Sequence, residues 1–305
     1  MATPPETRRI LTTSEGVNRE AFSAWDWALF VSVSLIWGSS FLLMAIGLDA
    51  FEPGLITVLR VALGAGALWL VPKARTASVQ RADWPRLVAL SFLWVAIPFT
   101  LFPIAQQYIN SAIAGMLNGA MPIFAAVFAV ILLRRLPRRT TIAGLVIGFV
   151  GVVAISAPSI GQGSSEALGV GLVLLATGCY GISVNIAAPI QQQYGSIPVM
   201  ARMLALATVW TAPLGLIGAA QSEFAWGPFV AVATAGVLGT GIAFVIMGSL
   251  VGRVGATRAS FITYVIPVVA LVLGVVFRGD EVAPIAVVGV VLVIAGAALA
   301  SRRDT

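Results

Sequence analysis

A small set of side chains in this chain could do chemistry, and apolar surroundings tolerate each of them poorly. Ser40, Asn118, Ser183, Asn185 and Thr263 carry amides or hydroxyls, and Trp37, Trp94, Tyr180 and Tyr264 carry an aromatic body with one polar tip. A side-chain amide in hydrocarbon must turn inward, where it bonds either another helix or a bound carboxylate or ammonium. Serine offers this less distinctly, because its hydroxyl can bond a carbonyl of its own helix. An indole N–H or phenol O–H at such depth needs a partner that lipid lacks, so the four aromatic residues are expected to face the interior. With Phe99 and Phe244 they would line an aromatic-walled cavity suited to flat, apolar side chains; packing or contact with lipid is the alternative for any single ring.

Arg60 carries a permanent charge about seven residues into its apolar run, roughly 10 Å along a helix. It must snorkel or pair, with Glu52 or with a substrate carboxylate; a structural anchor is the preferred reading, shared with Arg202.

The absences are equally informative. There is no histidine, Cys179 is the single cysteine, and the twelve acidic residues lie in loops, tails or at the edges of apolar runs. An enzyme would need a nucleophile, an acid–base pair or a metal cluster. None is offered, and neither metal nor cofactor is expected. Carriers that exchange protons for cationic solutes generally use an intramembrane carboxylate. Its lack predicts facilitated diffusion by alternating access.

A membrane bundle must position these residues. The chain of 305 residues is 59% hydrophobic and 10% charged, with a mean hydropathy of +1.00, against about one-quarter charged residues in soluble domains. Ten apolar runs, near 25–47, 53–72, 86–106, 110–133, 140–157, 167–188, 198–220, 227–251, 256–277 and 284–301, approach the roughly 20 residues that cross a bilayer as a helix. They lack the alternation of barrel strands. Trp25, Trp27, Trp84 and Trp226 fall at run edges, as headgroup anchors do. No cleavable leader is visible, so the first run is expected to serve as its own insertion signal.

The runs repeat. At an offset of 145 residues Pro267 recurs for Pro122, Gly289 for Gly144, Gly296 for Gly151 and Phe244 for Phe99, while Thr263 stands at the position of Asn118. The elbow Arg134-Arg135-Leu136-Pro137-Arg138-Arg139 does not recur; its counterpart is Arg278-Gly279-Asp280-Glu281. Five helices per half turn the second copy upside down, which explains the changed loop charge. With the N-terminus cytoplasmic, the inside segments hold Arg8, Arg9, Arg19, Lys73, Arg75, Arg81, Arg86, the elbow arginines, Arg253, Arg258, Arg302 and Arg303, and the outside holds Arg278 alone. The net charge of +6 therefore sets orientation and does not indicate nucleic acid.

The expected organisation is a cytoplasmic tail (1–24), a first five-helix repeat (25–157), a periplasmic Gly/Ser-rich linker (158–166), a second, inverted repeat (167–301) and a cytoplasmic tail (302–305). Pro122 and Pro267 each remove a backbone donor. The freed carbonyl and bend would serve substrate contact and gating, or a structural kink alone. Gly144 and Gly148 fit a small-xxx-small pattern, read as packing within one half of a monomer.

Ten helices as two inverted repeats, Trp37-Gly38-Ser39-Ser40-Phe41 in the first, Arg60 in the second, a mid-helix proline in the fourth and ninth, and the Gly279-Asp280-Glu281 corner resemble the ten-helix, EamA-type branch of the drug/metabolite transporter superfamily. Within it the chain is similar to the YddG-type aromatic amino-acid exporters. The first repeat departs from the pattern, with Arg135-Leu136 where an acidic residue often sits. The resemblance implies an exporter of the bacterial inner membrane with a central cavity between the halves. The leading expectation is export of amino acids with aromatic or apolar side chains. A broad drug or metabolite exporter is the alternative, and a non-transporting scaffold or receptor the alternative of another class.

The topology has a direct check. In a Cys179→Ser background, Gln221→Cys should react with an impermeant maleimide in intact cells, and Ser78→Cys only after permeabilisation.

Overall fold

The structure is a computed structural model that describes residues 22–76, 78–133, 139–161 and 163–300. The N-terminal basic residues, elbow residues 134–138, Arg302 and Arg303 lie outside the described residues.

Among the described residues ten long helices follow one another: α1 Ala24–Gly47, α2 Pro53–Trp69, α3 Arg81–Ala105, α4 in two pieces Ser111–Asn118 and Met121–Leu133, α5 Arg139–Ile160, α6 Ser164–Tyr194, α7 Ser196–Ala220, α8 Trp226–Val254, α9 Ile262–Arg278 and α10 Pro284–Ala300. Local chemistry sets their ends. Ser23 and Asp26 form a reciprocal capping box at the start of α1. Asn110 accepts the Ile113 N–H at 2.9 Å to start α4. Gly195 and Gly255, at φ 83° and 86°, end α6 and α8 in a backbone region that side chains avoid. α5 runs through Pro158 to Ile160 and α6 already starts at Ser164, so the connection between halves is shorter than the 158–166 expected from composition. A proline this close to a helix C-terminus costs one bond, too little to end the helix earlier.

The packing is that of two inverted repeats. Helix n of the first half corresponds to helix n + 5 of the second, and contacts obey this exchange: α1 packs on α9 as α6 packs on α4, α1 on α8 as α6 on α3, and α2 on α8 as α7 on α3. The self-corresponding pairs α5–α10, α2–α7 and α4–α9 pack together as well. Contacts repeat at residue level: Gly38 lies against Val269, and Gly181 against Phe124, the residue 145 positions earlier.

α5 and α10 meet almost backbone to backbone. A Cβ on Gly151 would stand 2.6 Å from Val293 N and 2.7 Å from Gly289 O, and one on Gly296 would strike Gly148 N and Gly144 O. The glycines that recur at the 145 offset thus pack on each other. This corrects the expectation that they serve contact within one half; Gly148, against Ile123 of α4, does so in addition. Two buried apolar cores result. One joins α1, α4, α9 and α10, with parts of α5, α6 and α8; the other joins α2, α3 and α7 with the end of α6. Val146, Phe149 and Val153 on α5, and Leu214, Leu216 and Ile217 on α7, face outward, as lipid permits.

Gly296→Ala should lower the thermal midpoint in detergent, overpacking costing about 1–3 kcal/mol. Gly66→Ala, where a Cβ meets nothing within 4 Å, should leave the midpoint unchanged or raise it.

Candidate functional site

Both halves depart from α-helical winding at corresponding places. In α3, Pro98 has no N–H for the Trp94 carbonyl, and Ser91–Ala96 widens into a π turn in which Ile97 N–H reaches back to Phe92 O. In α8 the matching stretch Val237–Ile242 does the same, with Ala243 N–H on Leu238 O, helped by Gly239 and Gly241. Such turns expose backbone groups that a regular helix would consume. Composition gave no warning of them, although Pro98 and the two glycines are legible signals in retrospect.

Several of the candidate side chains gather at the α8 turn. Trp37 Nε1 donates to Gly239 O at 3.0 Å, and its ring stands edge-on to Phe244 at 5.7 Å. Next to it, Arg60 Nε donates to Thr240 Oγ1 at 3.1 Å and Nη1 approaches Met44 Sδ at 3.2 Å, while the guanidinium carbon lies 4.3 Å over the Phe99 ring. Arg60 is only 7% exposed and does not snorkel. It does not reach Glu52: among the described residues no carboxylate stands within ion-pair distance of it.

The expected aromatic set converges only in part. Phe41, Phe102 and Tyr180 form a chain, edge-on at 5.4 Å and then stacked at 5.9 Å, and Tyr180 lies within electrostatic range of Arg60. Trp94, Tyr180 and Phe244 share the α2/α3/α7 core, Trp37, Tyr180 and Tyr264 the other, so Tyr180 marks the seam between the cores. Trp37, Trp94, Tyr180 and Phe244 keep accessible surface although their neighbours are helices. Trp37 is tied to α8 through Gly239 O and is partly accessible. Phe41 and Phe102 were missed as single aromatics without a repeat partner. Tyr264 stacks on Phe261 at 5.8 Å, towards the start of α9.

The polar candidates divide by what their hydrogen bonds already do. Ser40 and Ser183 donate to Ile36 O and Cys179 O of their own helices, and Thr263 to Ser260 O in its own turn. Asn185 Nδ2 ties α6 to α4 through Ala125 O at 3.0 Å and to Gly181 O at 2.8 Å. Asn118 differs: its Oδ1 is buried without a partner, and Pro122 brings no N–H for its backbone carbonyl. Pro122 follows a break at Gly119–Ala120, whereas Pro267 sits inside an unbroken segment and packs on Gly119. The two prolines therefore meet the same α4 break and do not face each other across a gap.

Polar ties join the halves at both ends. At the end where α1 begins, Asp26 pairs with Arg253, and Tyr194 donates to Asp83 at 2.7 Å. At the opposite end Arg278 grips Asp49 with two bonds of 2.7 and 3.0 Å. There Asp280 also accepts from Ser111 Oγ at 2.6 Å and Ala112 N at 2.9 Å. The acidic corner of the second half thus caps α4 of the first, satisfying N–H groups at its positive end. A 410 Å³ vestibule opens at this same end, lined by Tyr108, Asn110, Pro158, Glu166, Glu281 and Val282 among others. It lies apart from the aromatic set. Among the described residues no metal-ligating cluster occurs.

A family model described as the EamA-like transporter family matches residues 25–157 and again 167–302. A probable terminal-alkyne amino-acid exporter of Streptantibioticus cattleyicolor is 26% identical over 91% of this chain and 93% of its own length. An uncharacterized transporter of Archaeoglobus fulgidus is 24% identical over 91% of this chain and 99% of its own. The uncharacterized transporter YoaV of Bacillus subtilis is 26% identical over 87% and 93%. One crystal structure, 21% identical, superposes with a TM-score of 0.64 over 92% of this chain and 97% of that one.

Thr240→Val removes, with little change in volume, the one oxygen acceptor that Arg60 has among the described residues. It should cost about 1–3 kcal/mol of stability, read as a lower thermal midpoint, while Thr240→Ser stays near wild type.

Proposed function

The chain belongs to the EamA-like transporter family, and on that premise we propose that it exports amino acids with aromatic or apolar side chains across the bacterial inner membrane. One observation supports the substrate class: partly exposed rings from both repeats, Trp37, Trp94, Tyr180 and Phe244, gather on the two apolar cores and at the seam between them. Arg60 and Asn118 meanwhile keep polar groups unspent in the bundle. Rings favour flat apolar side chains, and donors and acceptors without net acid suit a zwitterion. The resemblance to an amino-acid exporter supports the same class.

Both termini face the cytoplasm in this reading, so the ends bearing Asp26–Arg253 and Asp49–Arg278 are cytoplasmic and periplasmic. The ties at the two ends would loosen in turn as the halves rock about the midplane site. No acidic residue lies among the groups that line that site, so the substrate's own gradient drives transport.

In proteoliposomes, labelled phenylalanine should show counterflow without an imposed proton gradient, and Asn118→Ala and Tyr180→Ala should slow it. A strict need for a proton gradient would refute the mechanism, and unchanged transport and competition in both variants would refute the site.

A further inference from the structure

We propose that Arg60 is the carboxylate-binding residue of the central site, its guanidinium edge taking the carboxylate of an amino acid or related organic acid. The inference rests on the export reading above for the side chain that accompanies the carboxylate, but its own grounds are separate.

The first ground is donor accounting. A guanidinium carries five N–H donors and no acceptor. In Arg60, Nε is used by Thr240 Oγ1 and Nη1 meets only Met44 Sδ, a weak acceptor. Among the described residues Nη2 has no hydrogen-bond partner. Two nitrogens at one edge of the fork thus remain for an outside acceptor, and that edge is the one whose geometry matches a carboxylate with two parallel bonds. Phe99 covers one face of the fork, which fixes its plane and leaves the edge open.

The second ground is charge. Arg60 is nine-tenths buried, and among the described residues no carboxylate pairs with it: Asp26 is engaged with Arg253, Asp49 with Arg278, Asp83 with Arg86 and Tyr194, Asp280 with the start of α4. A buried cation without a counter-ion is costly. A structural tie to Thr240 could have been made by a neutral side chain; a permanent charge is what an anionic ligand requires.

The third ground is position. Arg60 and Asn118 are each the eighth residue of a helix that starts at the same end of the bundle, about 10 Å in. One offers unspent donors and the other an unspent buried acceptor. A zwitterion held at that depth would place its carboxylate on Arg60 and its ammonium towards Asn118, with the side chain among Trp37, Tyr180 and Phe244.

The test is calorimetric binding to the purified full-length protein at pH 6, where an α-amino group stays protonated, using phenylalanine, phenylalaninamide, leucine and leucinamide. Wild type should bind each acid at least about tenfold more tightly than its amide, the usual worth of a charged hydrogen bond. Arg60→Gln should bring each acid to its amide's affinity, and Arg60→Lys should keep part of the difference, having charge without the fork. An acid-to-amide ratio near one in wild type, no binding of either acid, or the wild-type ratio surviving in Arg60→Gln would overturn the proposal. Should Arg60→Gln fail to fold, the wild-type and Arg60→Lys ratios decide it. The phenyl-over-isobutyl preference reads the export proposal independently: losing it while the acid preference stands rejects the aromatic substrate class and leaves Arg60 in its role.

Discussion

Within hydrocarbon no water stands ready to complete a hydrogen bond, and much of this structure follows from that constraint. Several backbone carbonyls of the helices are met by a side chain from a neighbour. Pro103 leaves the Phe99 carbonyl without its usual donor, and Thr57 Oγ1 of α2 supplies one at 2.9 Å. The α8 π turn presents Gly239 O, and Trp37 of α1 takes it. Asn185 answers Ala125 O in the same way. Among the described residues, Gln106, Asn118 and Thr140 keep buried polar atoms without a partner, and Arg60 keeps donors beyond its bond to Thr240; Arg60 and Asn118 are the two on which the proposed site is argued.

The inverted repeat decides where such groups can gather. Interfaces that occur twice, such as α1–α9 and α6–α4, bring the same kinds of side chain towards the centre from two sides. The symmetry is one of backbone more than of chemistry: Asn118 corresponds to Thr263, whose hydroxyl closes its own turn. The pseudo-twofold frame thus carries different polar groups at corresponding positions.

The sequence disclosed the frame well because its signals were local. Run lengths gave all ten helices to within a few residues, and glycines and prolines at a constant offset gave the repeat. Side-chain roles were harder, since they depend on which faces meet. Ser40 and Ser183 looked like ligands but spend their hydroxyls on their own helices. Arg60 looked like an anchor, and its distance from every carboxylate is a tertiary fact that no spacing encodes. The π turns escaped because one extra residue in a helix changes register without changing composition. The same holds for Asp280, whose value lies in reaching α4 of the other half.

The glycine contact between α5 and α10 has a mechanical consequence. Where helices touch through side chains, rotamers can yield and let one slide past the other; where they touch through main chain, nothing is soft enough to give. A Cβ on Gly151 or Gly289 would meet peptide atoms of the opposite helix at 2.7 Å or less. In the alternating-access reading proposed above, rocking of the halves would turn about this line, with α1 to α4 and α6 to α9 sweeping through the larger arcs. The least reactive residues in the chain thereby set the axis on which access to either side of the membrane would be exchanged.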